Sequence, residues 1–430
     1  MSTSKPAAFP VRYRVVSFAV SLAALTYLDR VCISILAPDI SEEFQLSKQE
    51  MSYVFSAFTL SYALFEIPTA WWADQIGSRR VVTRIVTWWS TFTILTGASF
   101  NYASLLIFRF LFGVGEAGAW PNAARVFSRW IPFRERGMVQ GIFFAGAHIS
   151  GGLTPLLVQW MNGHMSWRTV FVVCGVVGLF WPIAWYRWYR DEPNEHPAIS
   201  PEERDMILRE RMLSSDHSDA KGAYGRLLRH PSTYLLCTMY IANTYGFYFL
   251  ISWLPTYLQE ARGFASTELA IFAGLPLMLS VIADVFGGYT TDRLSRRFGL
   301  RLGRTIVGFS GYLIAGIATI AAANIQNNRV SAITFSFAAA ASMFTLAPSW
   351  ATCIDIGGRY AGVLSAAMNT SGNLGGFMSP IIAAFIVETW GDWSIALIVL
   401  AALYLVAAVC WLFIRPDRPI ERPALQAEIR

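Results

Sequence analysis

Four ionisable side chains stand inside stretches that are otherwise apolar over a membrane thickness. Asp29 and Arg30 are neighbours in LTYLDRVCISI (25–35), and Arg109 and Glu116 lie seven residues apart in FRFLFGVGEAGAWPNAARVF (108–127). A charge at the bilayer centre costs about 2.5–3.5 kcal/mol on insertion scales, so such residues turn toward partners or a water-filled cavity and mark ion or substrate paths. A carboxylate can shed its charge by taking a proton. A guanidinium cannot, and needs an anion beside it. Successive helical residues point about 100° apart, so one of Asp29 and Arg30 can face the fourth span while the other faces a cavity. Arg109 and Glu116 share a helix face about 10 Å apart along the axis, too far for a direct pair. GVGEAG within this run also fits GxGxxG, but no strand or soluble βαβ unit surrounds it. These glycines serve close helix approach, not a nucleotide.

The elements that carry these charges are membrane spans. The chain has 430 residues, 54% hydrophobic and 14% charged, with a mean hydropathy of +0.42. Soluble domains carry about 25% charged residues. Twelve apolar runs are each long enough to cross about 30 Å of hydrocarbon as helix. They fall at 13–36, 50–73, 81–99, 104–127, 137–160 and 168–189, then at 232–258, 268–291, 303–324, 330–353, 360–386 and 392–414. The first is followed by no small-residue cleavage site and reads as a retained span, not a signal peptide. Cys32, Cys174, Cys237, Cys353 and Cys410 are scattered through the spans without a CxxC, which implies neither a disulfide framework nor a zinc site.

The net charge of +6 is distributed as topology and not as a nucleic-acid surface. Arginines gather in alternate loops: Arg79, Arg80 and Arg84; Arg125, Arg129, Arg134 and Arg136; Arg293, Arg296, Arg297, Arg301 and Arg304. By the positive-inside rule these loops and both termini are cytoplasmic. The one long polar segment, 190–230, reads as a linker containing a short helix. Ser200 is its N-cap, Pro201 its first residue, and Glu203 closes a capping box.

That linker separates an N-terminal bundle (1–189) from a C-terminal bundle (231–430), and the two correspond at fixed offsets, as a repeat requires. GMVQGIFFAGAHISGGLTP (137–155) matches GVLSAAMNTSGNLGGFMSP (362–380), setting His148 opposite Asn373 and Pro155 opposite Pro380. FEIPTAWWADQIGSRR (65–80) matches IADVFGGYTTDRLSRR (282–297), setting Glu66 opposite Asp284 and Asp74 opposite Asp292. Two parallel six-span repeats with a midplane site describe the major facilitator architecture, an all-α membrane fold of twelve transmembrane helices. ADQIGSRR resembles that superfamily's loop motif, with Thr69 and Ala70 where glycines usually stand. Its mechanical reading is a charge latch between helix ends, formed by Asp74, Arg79 and Arg80 in one half and Asp292 and Arg296 in the other. Glu66 and Asp284 read as parts of that latch. Aligning Pro38 with Pro255 sets Asp29 and Arg30 opposite Gly246 and Phe247. The fold can thus be built without the two charges, which points to function.

Tyr27-x-Asp29-Arg30, Arg109 with GVGEA, and NTSGNLGG…SP (369–380) together resemble the anion:cation symporter family, whose members include bacterial galactonate, glucarate, hexuronate and phthalate transporters, vesicular glutamate transporters and sialin. The resemblance covers all twelve spans. It implies a secondary active transporter that carries a small organic anion, a sugar acid or other carboxylate, into the cell with protons by alternating access. Sodium coupling, or exchange of an aromatic or dicarboxylic acid, is the nearer alternative. It also implies that Arg30 meets the substrate carboxylate, while Asp29 and Glu116 carry the proton. Tyr27, Tyr62, Arg109, Asn369 and Asn373 resemble its cavity residues. His148 stands where sugar-acid members have glutamine; it either donates to a carboxylate, titrates, stacks on an aromatic acid, or fills the core as a satisfied histidine. Tyr245, Tyr248 and Trp350 supply the opposite wall, or serve packing.

No cofactor or metal is implied; the coupling ion is H+. Expected partners are the organic anion and the lipid bilayer of a bacterial inner membrane, with no nucleic acid and a monomeric state. A membrane enzyme finds no support, since HExxH, serine–histidine and phosphate-loop signatures are missing from the sequence.

Overall fold

In hydrocarbon every backbone N–H and C=O must be satisfied within the chain, so long apolar runs have little choice but to become helices. A computed structural model of the chain describes residues 10–132, 135–212, 230–357 and 361–419. The first half contains α1 (Val11–Phe44), α2 (Lys48–Ile76), α3 (Ser78–Gly97), α4 (Tyr102–Glu116), α5 (Ala119–Trp130), α6 (Arg136–Asn162) and α7 (Trp167–Trp188). A 3₁₀ turn (Pro193–Glu195) and α8 (Pro201–Met212) follow. The second half contains α9 (Pro231–Ser252), α10 (Leu254–Glu260), α11 (Ser266–Phe298), α12 (Leu300–Asn324), α13 (Asn328–Met343), α14 (Leu346–Gly357), α15 (Ala361–Trp390) and α16 (Trp393–Phe413). Among the described residues ten helical segments are long and apolar enough to cross a membrane. With α2 and α3, which occupy the other two expected spans, they complete the twelve-span pattern.

Three of the expected spans are not single helices. The runs at 104–127, 232–258 and 330–353 each break into two, as α4/α5, α9/α10 and α13/α14. Each break stands two or three residues before a proline: Pro121, Pro255 and Pro348. Proline lacks the N–H that would bond the preceding turn, and its ring crowds that carbonyl.

The described residues fall into two compact units. One takes in Met1–Leu36, Ala57–Thr154 and Trp160–Asp216; the other takes in Ala37–Ser56, Pro155–Gln159 and His217–Arg430. In the first, α3 packs on α7 and α4. The carboxylate of Glu203 on α8 receives the backbone N–H groups of Val11 and Arg12, each at 3.1 Å, and pairs with the Arg12 guanidinium at 3.0 Å. Arg12 also pairs with Glu135 at 3.0 Å. A carboxylate here satisfies N–H groups that the first turn of α1 leaves open. The expected capping box therefore forms only in part. Ser200 Oγ accepts from Glu203 N at 3.2 Å, but the Glu203 side chain is committed to α1.

In the second unit α9 lies along α15. A Cβ on Gly375 would stand 2.2 Å from the Ile241 carbonyl oxygen, so only glycine permits that approach. Ser379 Oγ donates to the Tyr245 carbonyl at 2.7 Å, and Trp253 Nε1 to the Pro380 carbonyl at 3.0 Å. The Ala37–Ser56 segment is fixed here by Ser56 Oγ donating to the Phe377 carbonyl at 2.9 Å. Phe55 also sits edge-on to Trp253, with ring centroids 5.2 Å apart.

Outside the spans, His196 is buried with its ring edge-on to Trp130 and Trp188 (centroids 5.7 and 4.7 Å). Burial first, then Arg190 and Arg14, lower its pKa below the usual 6.5, against a smaller opposing pull from Glu203 and a backbone bond. A histidine that is harder to protonate folded than unfolded contributes stability above its unfolded pKa of about 6.5, and that contribution is lost as pH falls from there through its lower folded value. The melting temperature of the purified protein should therefore drop between pH 7.5 and 5.5, and the drop should be smaller in His196→Gln. Equal drops in the two proteins would refute this.

Candidate functional site

The charged residues singled out in the sequence converge within the first unit. Asp29 and Arg30 come from α1, Arg109 and Glu116 from α4, and all four are buried (relative exposures 1%, 8%, 2% and 0%). Arg30 Nε donates to Glu116 Oε1, so Arg30 makes the direct ion pair with the fourth span. Asp29 points instead toward Trp89 and Thr93 of α3, with Arg109 and Glu116 as its neighbouring charges. Neither Asp29 oxygen has a hydrogen-bond partner of good geometry among the described residues, nor do Glu116 Oε2 and Arg109 Nε.

Local structure explains this convergence. Glu116 is the last residue of α4, just before the helix breaks at Ala117 and Gly118. Gly113, one turn earlier, lets α4 approach α2. A Cβ there would lie 2.1 Å from Ser61 Oγ and 2.5 Å from the Phe58 carbonyl. That approach brings aromatic rings of α2 onto the cations. Arg30 Cζ is 4.9 Å from the Tyr62 ring centroid, 5.2 Å from Phe58 and 5.8 Å from Tyr27. Arg109 Cζ is 4.4 Å from Phe112 and 5.6 Å from Phe58.

Tyr27 links this cluster to His148. Their rings meet edge-on at 5.8 Å, and Tyr27 meets Trp120 edge-on at 6.2 Å. His148 is buried. Its aromatic setting fits stacking and packing alike.

The second unit holds the other candidates. Tyr245, Tyr248 and Asn373 are buried, and Asn369 and Trp350 are half-buried. Trp350 stands edge-on to Tyr240 at 6.2 Å. The packing of α15 against α9 places the Asn369–Asn373 face near Tyr240 and Thr244, which crowd Gly372.

At the helix-end latch motifs the structure brings in partners that sequence reasoning missed. In the first half, Arg79 takes Asp191 through its backbone N–H at 3.1 Å. Its guanidinium donates to the Tyr186 carbonyl at 2.9 and 2.5 Å, while Arg80 is exposed. The Asp74 side chain lies outside the described residues. In the second half, Asp292 pairs with Arg304 at 3.2 Å, and Arg304 also pairs with Asp355 at 3.0 Å. Arg296 is exposed and takes no part in those ion pairs. Glu66 and Asp284 are half-buried. Arg304 was visible only as one of five arginines in a basic loop. Asp355, at the end of an apolar run, carried no spacing signal.

Charges buried in helices of membrane-crossing length are the arrangement of an ion or solute path. The profile of the Major Facilitator Superfamily matches residues 19–380, and the chain belongs to that superfamily. It is 35% identical over 409 residues, 94% of each chain, to the protein of Cupriavidus necator described as "Probable sulfoacetate transporter SauU". It is 29% identical over 433 residues, 96% of each chain, to "Probable galactarate/D-glucarate transporter GarP" of Escherichia coli K12. Its fold matches an inward-facing, occupied structure of a bacterial homologue of the human lysosomal transporter Spinster. There the TM-score is 0.74 at 21% identity, with 95% of this chain and 97% of the other covered.

Breaking a buried ion pair by removing one partner costs about 3–5 kcal/mol, whereas replacing both with apolar groups is far milder. Arg30→Met and Glu116→Leu should each lower the melting temperature of the purified protein, and the double variant should recover most of the loss. Additive losses in the double variant would show that the pair is not energetically coupled.

Proposed function

We propose that the protein imports a small organic anion in symport with protons by alternating access. It would do so in a bacterial inner membrane, with both termini cytoplasmic and the two six-helix bundles (1–189 and 231–430) rocking about the linker. The observation that carries this reading is the buried Arg30–Glu116 pair with Asp29 and Arg109 beside it. Arg30 is a permanent cation held against an exchangeable anion. When Glu116 takes a proton its charge disappears, and the planar guanidinium fork of Arg30 is left to accept a carboxylate or sulfonate in two parallel hydrogen bonds. The incoming anion replaces the charge that the proton removed, so anion and proton enter together. Asp29, equally enclosed and facing Arg109, serves as a second proton site. Arg109, Tyr27, Tyr62 and His148 in the first unit, and Tyr245, Tyr248, Trp350, Asn369 and Asn373 in the second, are the candidates for charge, ring faces and hydrogen bonds to the rest of the substrate. Asp74, Arg79, Arg80, Asp292 and Arg296, joined by Arg304 and Asp355, bias the conformational equilibrium.

The relative at 35% identity favours a short acid with a sulfonate, and the GarP relative favours a sugar diacid; a guanidinium recognises both head groups. Purified protein in proteoliposomes should accumulate labelled sulfoacetate or glucarate when the outside is acidic, and Arg30→Ala should abolish it. Glu116→Gln should keep exchange of internal for external anion but lose stimulation by the proton gradient. Uptake indifferent to the gradient in the unaltered protein, or driven only by sodium, would overturn the proton-coupled reading.

A further inference from the structure

The transport reading assigns work to both arginines but leaves open what holds them still. Phe58 on α2 is buried, and its ring is within cation–π range of Arg30 (5.2 Å) and Arg109 (5.6 Å) together. Tyr27 and Tyr62 also face Arg30, and Phe112 faces Arg109. The ring cannot drift. It is braced by Phe112 at 5.5 Å and Tyr62 at 5.9 Å. Gly113 presses from the α4 side, where an added Cβ would stand 3.1 Å from Phe58 Cδ2.

A phenyl ring at this point has properties that other side chains lack. Its negative faces attract a guanidinium, yet it offers no hydrogen-bond acceptor to occupy the N–H groups. One ring thus attracts two like charges without taking up an N–H of either. A carboxylate here would occupy both arginines and block the site, and an aliphatic side chain would remove the attraction that the two cations share.

We infer that Phe58 is a positioning residue for anion binding: it holds Arg30 and Arg109 stationary while the anion opposite Arg30 changes from the Glu116 carboxylate to the substrate. This rests on the anion-transport reading above. Phe58 touches neither substrate nor proton. Its loss raises KM, because a wandering cation must be gathered again for each binding event, and leaves kcat nearly unchanged.

The test replaces Phe58 in the full-length protein with phenylalanines carrying one, two, three and five ring fluorines. These weaken the ring's attraction for cations stepwise at nearly constant shape, so folding is not at stake as it is for Phe58→Leu. KM for labelled sulfoacetate or glucarate, whichever the unaltered protein takes up in proteoliposomes, should rise monotonically along the series, to about tenfold at the end. Phe58→Leu should have a KM at or beyond the end of the series. A flat KM series in a protein that transports normally overturns the role of Phe58 and leaves the transport reading standing. A series in which kcat falls and KM holds also overturns it. If the unaltered protein takes up neither anion, the transport reading fails and the proposal with it.

Discussion

Ionised groups in a hydrocarbon-embedded bundle are tolerable only as a mutually compensating set, and the first unit is organised around that constraint. Each of the four charges costs several kcal/mol to desolvate after relaxation. The set contains two guanidiniums and two carboxyl groups, and its close pair is Arg30 with Glu116. Arg109 has the Glu116 and Asp29 carboxyls as neighbours and the Phe112 ring against it, while Asp29 lies between the opposing fields of Glu116 and Arg109. A set satisfied that sparingly is poor as structural glue. Apolar residues of similar volume would stabilise the bundle as well or better. Its retention in the chain is a functional argument in itself.

The break in the fourth span gives this arrangement its geometry, and the second half supplies the comparison. α4 ends at Glu116 with Ala117 at φ −52°, ψ −27°; α13 ends at Met343 with Phe344 at φ −52°, ψ −24°. Both repeats thus interrupt the corresponding span, and the residue that follows the first segment has nearly the same backbone conformation in each. At the bend the first half puts a carboxylate and the second a thioether. Together with Gly246 and Phe247 standing where Asp29 and Arg30 do, this shows a shared scaffold on which one half was given charge and the other an aromatic, amide-bearing surface. The scaffold explains where the site is; the asymmetry explains what it can do.

Most of the architecture was legible because the hydrophobic window is a one-dimensional signal. The twelve apolar runs correspond to the helices described, while the repeated Gly and Pro positions did not reveal that 37–56 and 155–159 pack with the second unit. The broken spans were less legible. Pro38, Pro68, Pro155, Pro182, Pro276 and Pro380 sit inside continuous helices, whereas Pro121, Pro255 and Pro348 follow breaks. Proline permits a break, and packing decides whether one occurs. The four buried charges stood out against their apolar context. Their pairing did not, because a 100° step leaves either Asp29 or Arg30 free to face α4. Arg304 with Asp355, and Glu203 with the start of α1, are long-range pairs with no spacing rule. Phe58 is one of 30 phenylalanines, and only geometry distinguishes it.

The roles of cation and anion in such a site are not symmetrical, and the structure reflects that. A guanidinium stays charged at any physiological pH, so it cannot be the element that switches. The switching falls to whatever anion lies opposite. Glu116 suits it: one oxygen holds Arg30, and the other lacks a partner of good geometry among the described residues. A second hydrogen bond on that oxygen would stabilise the carboxylate and resist its protonation. Asp29 lies against Trp89 and Thr93 of α3, and neither of its oxygens has a hydrogen bond of good geometry among the described residues. On the proposed reading, fixed cations on aromatic faces and under-bonded carboxylates keep two alternatives close in free energy, with the charge carried either by a protein carboxylate or by a bound anion. Full satisfaction of every polar atom would make the bundle more rigid and would remove the near-balance that the proposed coupling requires.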